Sequence, residues 1–302
     1  MTALTSGGQV ISIANHPLRV FANDDPARPR INHTSAIIMI HGRRGDAQKC
    51  LDTAQTICAQ VNLPQLIIAP LFISPADSPA TPETLHWPDA QWMAAEAACG
   101  PSGISSFTVL DTLIAMLSDR TRFPALRHIT LAGHSAGGQL LQRYAVFFEN
   151  SSSRLPVSFV IANPGSYLYL DPIRPASNGF AIPDAAQYPG FDDWKYGLQN
   201  RPAFLPRVSA SYAQHNITYL LGALDNDPDA AALDKRPAAR PQGANRLERG
   251  QNHWRYLTQK FSSALRHNLI IVPQTGHDMT AMFSHPSAAS ALFATTPTRS
   301  PL

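Results

Sequence analysis

The chain has 302 residues, 44% hydrophobic and 15% charged, with a formal net charge of +3. It is long enough for one large domain with a sizeable core and too apolar to be disordered. No concentrated basic face points to nucleic acid, and no apolar run approaches the roughly 20 residues that span a bilayer.

The first fourteen residues lack the basic start and apolar core of a secretory signal, so the reading is a cytoplasmic protein without a membrane span. Cysteine is scarce and odd in number, with three residues. Cys50 and Cys58 fall eight positions apart on one predicted helix, which separates them by roughly 12 Å and excludes a disulfide between them. Neither spacing nor neighbours suggest a zinc site or a cysteine nucleophile, which leaves core thiols of a reducing compartment.

In chain order, Val10 to Phe21 reads as one or two antiparallel edge strands. Short, nearly continuous apolar runs follow at 36–40, 65–69, 127–132, 157–162, 217–221 and 269–272. Such runs suit parallel strands buried on both faces. Helical patterns alternate with them at about 47–61, 105–118, 136–149 and 250–266. Asp46 is placed to cap the first, and Ser105 or Ser106 the second. The alternation predicts an α/β domain over residues 1–302, with a mainly parallel sheet and helices on both faces. Two stretches interrupt it. Residues 71–104 are rich in Pro, Ala and Ser and carry Trp87 and Trp92, while 164–205 hold six prolines and a dense aromatic set. They read as lid-like insertions or as irregular surface segments anchored by their aromatics.

The chemistry gathers around Gly133-His134-Ser135-Ala136-Gly137, between a strand and a helix. This is the pattern of a nucleophile elbow, a turn so tight that glycines on either side avoid clashes. A serine hydroxyl needs a base, an orienting acid and an oxyanion hole. His277 lies on the loop leaving the last strand and is the base candidate. Asp225, three residues past Gly222, is the acid candidate, with Asp227 and Asp229 as competitors. The Ala136 amide is one oxyanion donor, and the Arg43 amide in the His41-Gly42-Arg43-Arg44-Gly45-Asp46 loop the other, with Gly42 next. The Arg43 and Arg44 side chains suggest an acidic substrate, or simply solvated and ion-paired groups.

These residues together resemble the α/β-hydrolase superfamily over about residues 10–290. The resemblance rests on the 41–46 loop, Ala132 to Gly138, Asn163-Pro164-Gly165-Ser166-Tyr167, Leu221 to Asp225 and Val272 to Asp278. More narrowly, the chain is similar to a microbial and fungal branch loosely akin to the feruloyl esterase and polyhydroxyalkanoate depolymerase groups. The resemblance implies a central, mostly parallel sheet of about eight strands with the catalytic residues on its C-terminal edge, and no cofactor or metal. The expected activity is hydrolysis of a small-molecule carboxylic ester through a Ser135–His277–Asp225 triad and an acyl-enzyme. An amidase or peptidase would use the same residues, and a non-catalytic ligand-binding protein of this fold is the reading from another class. His41, Trp87, Trp92 and Tyr167 are candidates for lining a substrate pocket, and each is equally readable as core packing.

Overall fold

Eight strands form one twisted sheet whose spatial order departs from chain order. A computed structural model describes residues 8–28, 32–61, 65–75, 84–100, 103–149 and 153–293. The strands are β1 (Gln9–Ile13), β2 (His16–Ala22), β3 (Ser35–Ile40), β4 (Gln65–Pro70), β5 (His128–His134), β6 (Val157–Ala162), β9 (Asn216–Gly222) and β10 (Asn268–Val272). The first two pair antiparallel, as the N-terminal pattern predicts, and β2 runs antiparallel to β4. All other pairs are parallel.

The apolar runs are continuous because the inner strands are covered on both sides. Alternate residues point to opposite faces. Ala36, Ile38 and Ile40 join one core with Leu66, Ile68, Ile129 and Leu131, while Ile37 and Met39 join the other with Ile67 and Ala132. The first core is closed by α2 (Ser106–Leu117), α3 (Ala136–Phe147) and α4 (Arg246–Phe261). The second is closed by α1 (Ala47–Val61), α5 (Met279–Ser284) and α6 (Pro286–Ala289).

The expected caps are present. The Asp46 carboxylate accepts from the Lys49 amide at 3.1 Å, and the Ser105 hydroxyl from the Thr108 amide at 3.2 Å. The fourth predicted helix begins earlier than 250, because Asn245 caps it by accepting from the Glu248 amide at 2.9 Å. It also ends earlier, at Phe261, and a short 3₁₀ turn follows. Cys50 and Cys58 are buried free thiols on α1. Burial pushes both thiols above their ordinary range, Cys58 to about 11.

Register places the site. Ile40 pairs with Gly133, His134 with Ala162, Ala162 with Leu220, and Gly222 with Val272. The loops after β3, β5, β6, β9 and β10 therefore leave the sheet along one edge, at nearly one level. Between β6 and β9 the chain forms no long helix. It makes a short hairpin of β7 (Arg174–Ala176) and β8 (Gly179–Ala181) within otherwise irregular backbone.

Candidate active site

Ser135 occupies a backbone conformation that a side chain rarely adopts, with φ 57° and ψ −112°, directly between β5 and α3. The flanking glycines let the turn exist. A Cβ on Gly133 would lie 2.6 Å from the Gly137 carbonyl carbon, and one on Gly137 would lie 2.5 Å from the Ile40 carbonyl oxygen. Any larger residue would push the elbow off the sheet. The Ser135 amide is tied to the Ala162 carbonyl at 2.9 Å, so strain is held against the neighbouring strand.

Two further strand ends supply its partners. His277 Nε2 lies 2.9 Å from Ser135 Oγ, and His277 Nδ1 lies 2.7 Å from Asp225 Oδ2. Asp225 is 5% exposed. Asp227 and Asp229 lie exposed in the following turn, where the Asp227 carboxylate accepts from the Asp229 amide. The geometry thus brings together Ser135, His277 and Asp225 and leaves the competing acids outside.

Two residues without an assigned sequence role hold this arrangement. Arg246, at the start of α4 and 2% exposed, donates from Nη1 to Asp225 Oδ1 at 3.2 Å. Burial penalises the Asp225 carboxylate, but the His277 hydrogen bond and charge and the Arg246 guanidinium outweigh that penalty. They hold its carboxyl below the usual range. Asn163, just past β6 with φ 44°, accepts from the Gly222 amide at 2.8 Å and donates to the Gly276 carbonyl at 3.2 Å. Its side chain ties the acid loop to the base loop. An Asn-Pro pair at a strand end is a turn signal that marks such a position; Arg246 carries no comparable local signal. His134 packs against His277 with ring centroids 4.6 Å apart. Burial, helped by the His277 charge, pushes the His134 imidazole down to about 3 and keeps it neutral.

A cleft of about 520 Å³ opens beside Ser135 and Ala136. Arg43 and Ala136 both line it, and among the described residues neither backbone amide donates to another protein group. The Arg43 side chain pairs with Asp89 at 2.8 Å, which favours the ion-paired reading of that arginine. Across the cleft, Asp234 accepts from Tyr196 Oη and Arg236 Nη2, each at 2.6 Å, and lies 3.9 Å from Lys195 Nζ. Burial, with the neighbouring Arg143 charge, pushes the Lys195 ammonium down to about 7. Burial also raises the Glu96 carboxyl on the same wall. Among the described residues no group of three or more histidine, cysteine or carboxylate side chains is placed to hold a metal ion.

His41, Trp87, Trp92 and Tyr167 are all buried in the core and line no part of this cleft. Trp92 stacks on Phe72 at 5.1 Å, with Trp87 and His41 set edge-on around that pair. His41 Nε2 accepts from the Phe72 amide at 2.9 Å. Tyr167 stacks on His253 of α4 at 4.5 Å. Each aromatic fills space under a long loop that would otherwise lack a core. The aromatics that reach the cleft are Trp194 and Tyr196.

This architecture is the α/β-hydrolase fold. No family model matches the chain, and no curated relative does. Among solved structures it is similar to poly(aspartic acid) hydrolase-1 from Sphingomonas sp. KT-1, with a TM-score of 0.67 and 21% identity over 95% of this chain and 98% of that one. It is also similar to LpqC, a poly(3-hydroxybutyrate) depolymerase from Bordetella parapertussis, with a TM-score of 0.62 and 18% identity over 93% and 89%. The depolymerase falls in one of the two groups that the sequence motifs resemble. No helix among the described residues is long and apolar enough to cross a membrane.

Proposed function

We propose that the protein is a serine hydrolase that cleaves a small-molecule carboxylic ester. The observation that carries this is the chain of contacts from Ser135 Oγ to His277 Nε2 at 2.9 Å and from His277 Nδ1 to Asp225 Oδ2 at 2.7 Å. Ser135 attacks the ester carbonyl as its proton passes to His277. Asp225 holds the imidazole tautomer and stabilises the imidazolium. The oxyanion is held by the Ala136 and Arg43 amides, two donors fixed before the reaction begins. The imidazolium protonates the leaving alcohol, and water then releases the acid by the same steps in reverse order. Of the two similar folds, one is named for a polyester, poly(3-hydroxybutyrate), and the other for a polyamide, poly(aspartic acid), so the choice between ester and amide rests on the matched substrates below.

A fluorophosphonate probe tests this reading. Labelling is expected in the native protein and in Ser105→Ala, and not in Ser135→Ala. Equal labelling of Ser135→Ala would refute it. Matched p-nitrophenyl esters and anilides then divide ester from amide hydrolysis; comparable turnover of both moves the assignment to an amidase.

A further inference from the structure

The cleft beside Ser135 shares a wall with a second one. Leu233 and Lys235 line both. The second cleft, of about 720 Å³, lies between the β7 hairpin and the start of α4. Lys235, Arg240, Arg249 and Arg255 line it, against one carboxylate, Glu248. Glu248 is engaged by the Ala244 amide at 2.8 Å. Lys235 reaches Asp229 at 3.3 Å, a pair exposed enough for solvent to screen it.

Among the described residues the three arginines make no ion pair with a carboxylate. Arg249 is 2% exposed and donates to the carbonyls of Gly243, Gly165 and Asp234. Carbonyl oxygens satisfy its N–H groups, and the Asp234 and Glu248 carboxylates act on its charge only from a distance, without a direct ion pair. Burial pushes this guanidinium below its usual range. Arg240 is held from behind by the Lys235 carbonyl at 3.1 Å, and Arg255 by the Asn252 side chain. Each has donors left over, in the planar fork that suits a carboxylate or a phosphate.

We infer that the second cleft is an anion subsite for the substrate whose ester sits at Ser135. An extension of that substrate bearing carboxylate or phosphate groups crosses the Leu233–Lys235 wall and docks on Arg240 and Arg255 above Arg249. The inference rests on the serine-hydrolase reading, and it narrows the substrate class to esters carrying an anionic arm.

The test uses p-nitrophenyl hemiesters of α,ω-dicarboxylic acids of increasing length, each beside its neutral methyl-capped diester. A parallel series ends in a phosphate monoester, so the series with the larger gain identifies the head group. Once the arm spans the wall, the charged ester should gain about tenfold in kcat/KM over its capped partner. Arg240→Gln with Arg255→Gln should erase that gain and leave p-nitrophenyl acetate turnover unchanged. Equal rates for charged and capped esters at every length overturn the subsite, as does a gain that survives the double variant. Acetate hydrolysis, lost in Ser135→Ala, reports on the catalytic reading alone. Calorimetric binding of citrate and pyrophosphate to Ser135→Ala, lost with the two arginines, reports on the cleft alone.

Discussion

The loops that carry Ser135, Asp225 and His277 and the long connection from 164 to 205 are built on opposite plans. The former are a few residues each, leave adjacent parallel strands and are set by backbone geometry at the sheet edge. The latter has little ladder of its own and is held by buried arginine side chains, one its own and one from α3. Arg174, fully buried, donates to the carbonyls of Asp171, Ile173, Phe191 and Tyr196 and lies 4.4 Å over the Tyr169 ring. Arg143, equally buried, reaches the Lys195 and Gln139 carbonyls and the Ser166 hydroxyl. Guanidinium groups here do what neighbouring strands do in a sheet: they satisfy carbonyls that would otherwise be buried without a donor. Precision can therefore come from short strand ends, while an irregular wall needs a polar scaffold beneath it.

Substitutions on the two sides should separate cleanly. The largest effect belongs to Ser135→Ala, which should lower kcat by about 10⁶ with unchanged unfolding; residual turnover near the native rate would break the contrast. Asp225→Asn should follow at about 10⁴, because the imidazole loses its enforced tautomer. Steady-state kinetics on p-nitrophenyl acetate measure both. Arg174→Met acts on the other plan. It should cost about 3 kcal/mol or more in denaturant unfolding, since it strands several buried carbonyls, while Ser135 keeps its fluorophosphonate reactivity in the folded fraction. Loss of reactivity without loss of stability would show that the 164–205 connection shapes the triad after all.

The smallest effect concerns acid. The Asp225 carboxyl is held below its ordinary range. As pH falls, the unfolded chain therefore takes up this proton first, and the stabilisation, complete above about pH 4, fades below it. Asp225→Asn should flatten the fall in unfolding free energy below about pH 4. A decline as steep as that of the native chain would remove Asp225 from the account.

The same division decides what could be read in advance. The strands, the four main helices and Ser135, Asp225 and His277 follow from local signals: apolar runs, caps, the elbow glycines and the position of each residue just past a strand. Trp87, Trp92 and Tyr167 look like pocket residues because they stand in proline-rich, aperiodic sequence. Their burial depends on Phe72 and His253, which nothing in the local sequence connects to them. The Arg246 contact with Asp225 spans 21 positions and has no periodic trace. The polar cleft wall around Asp234 and Lys195 is equally a product of distant segments meeting.

Asn163 has one more consequence. Its single amide fastens the acid loop and the base loop to each other immediately before the long connection from 164 to 205 begins. The spacing of acid and base is thereby set by a side chain that precedes the connection from 164 to 205. Substitutions at Trp194, Lys195 or Tyr196 therefore change the lining of the cleft without touching either of these bonds.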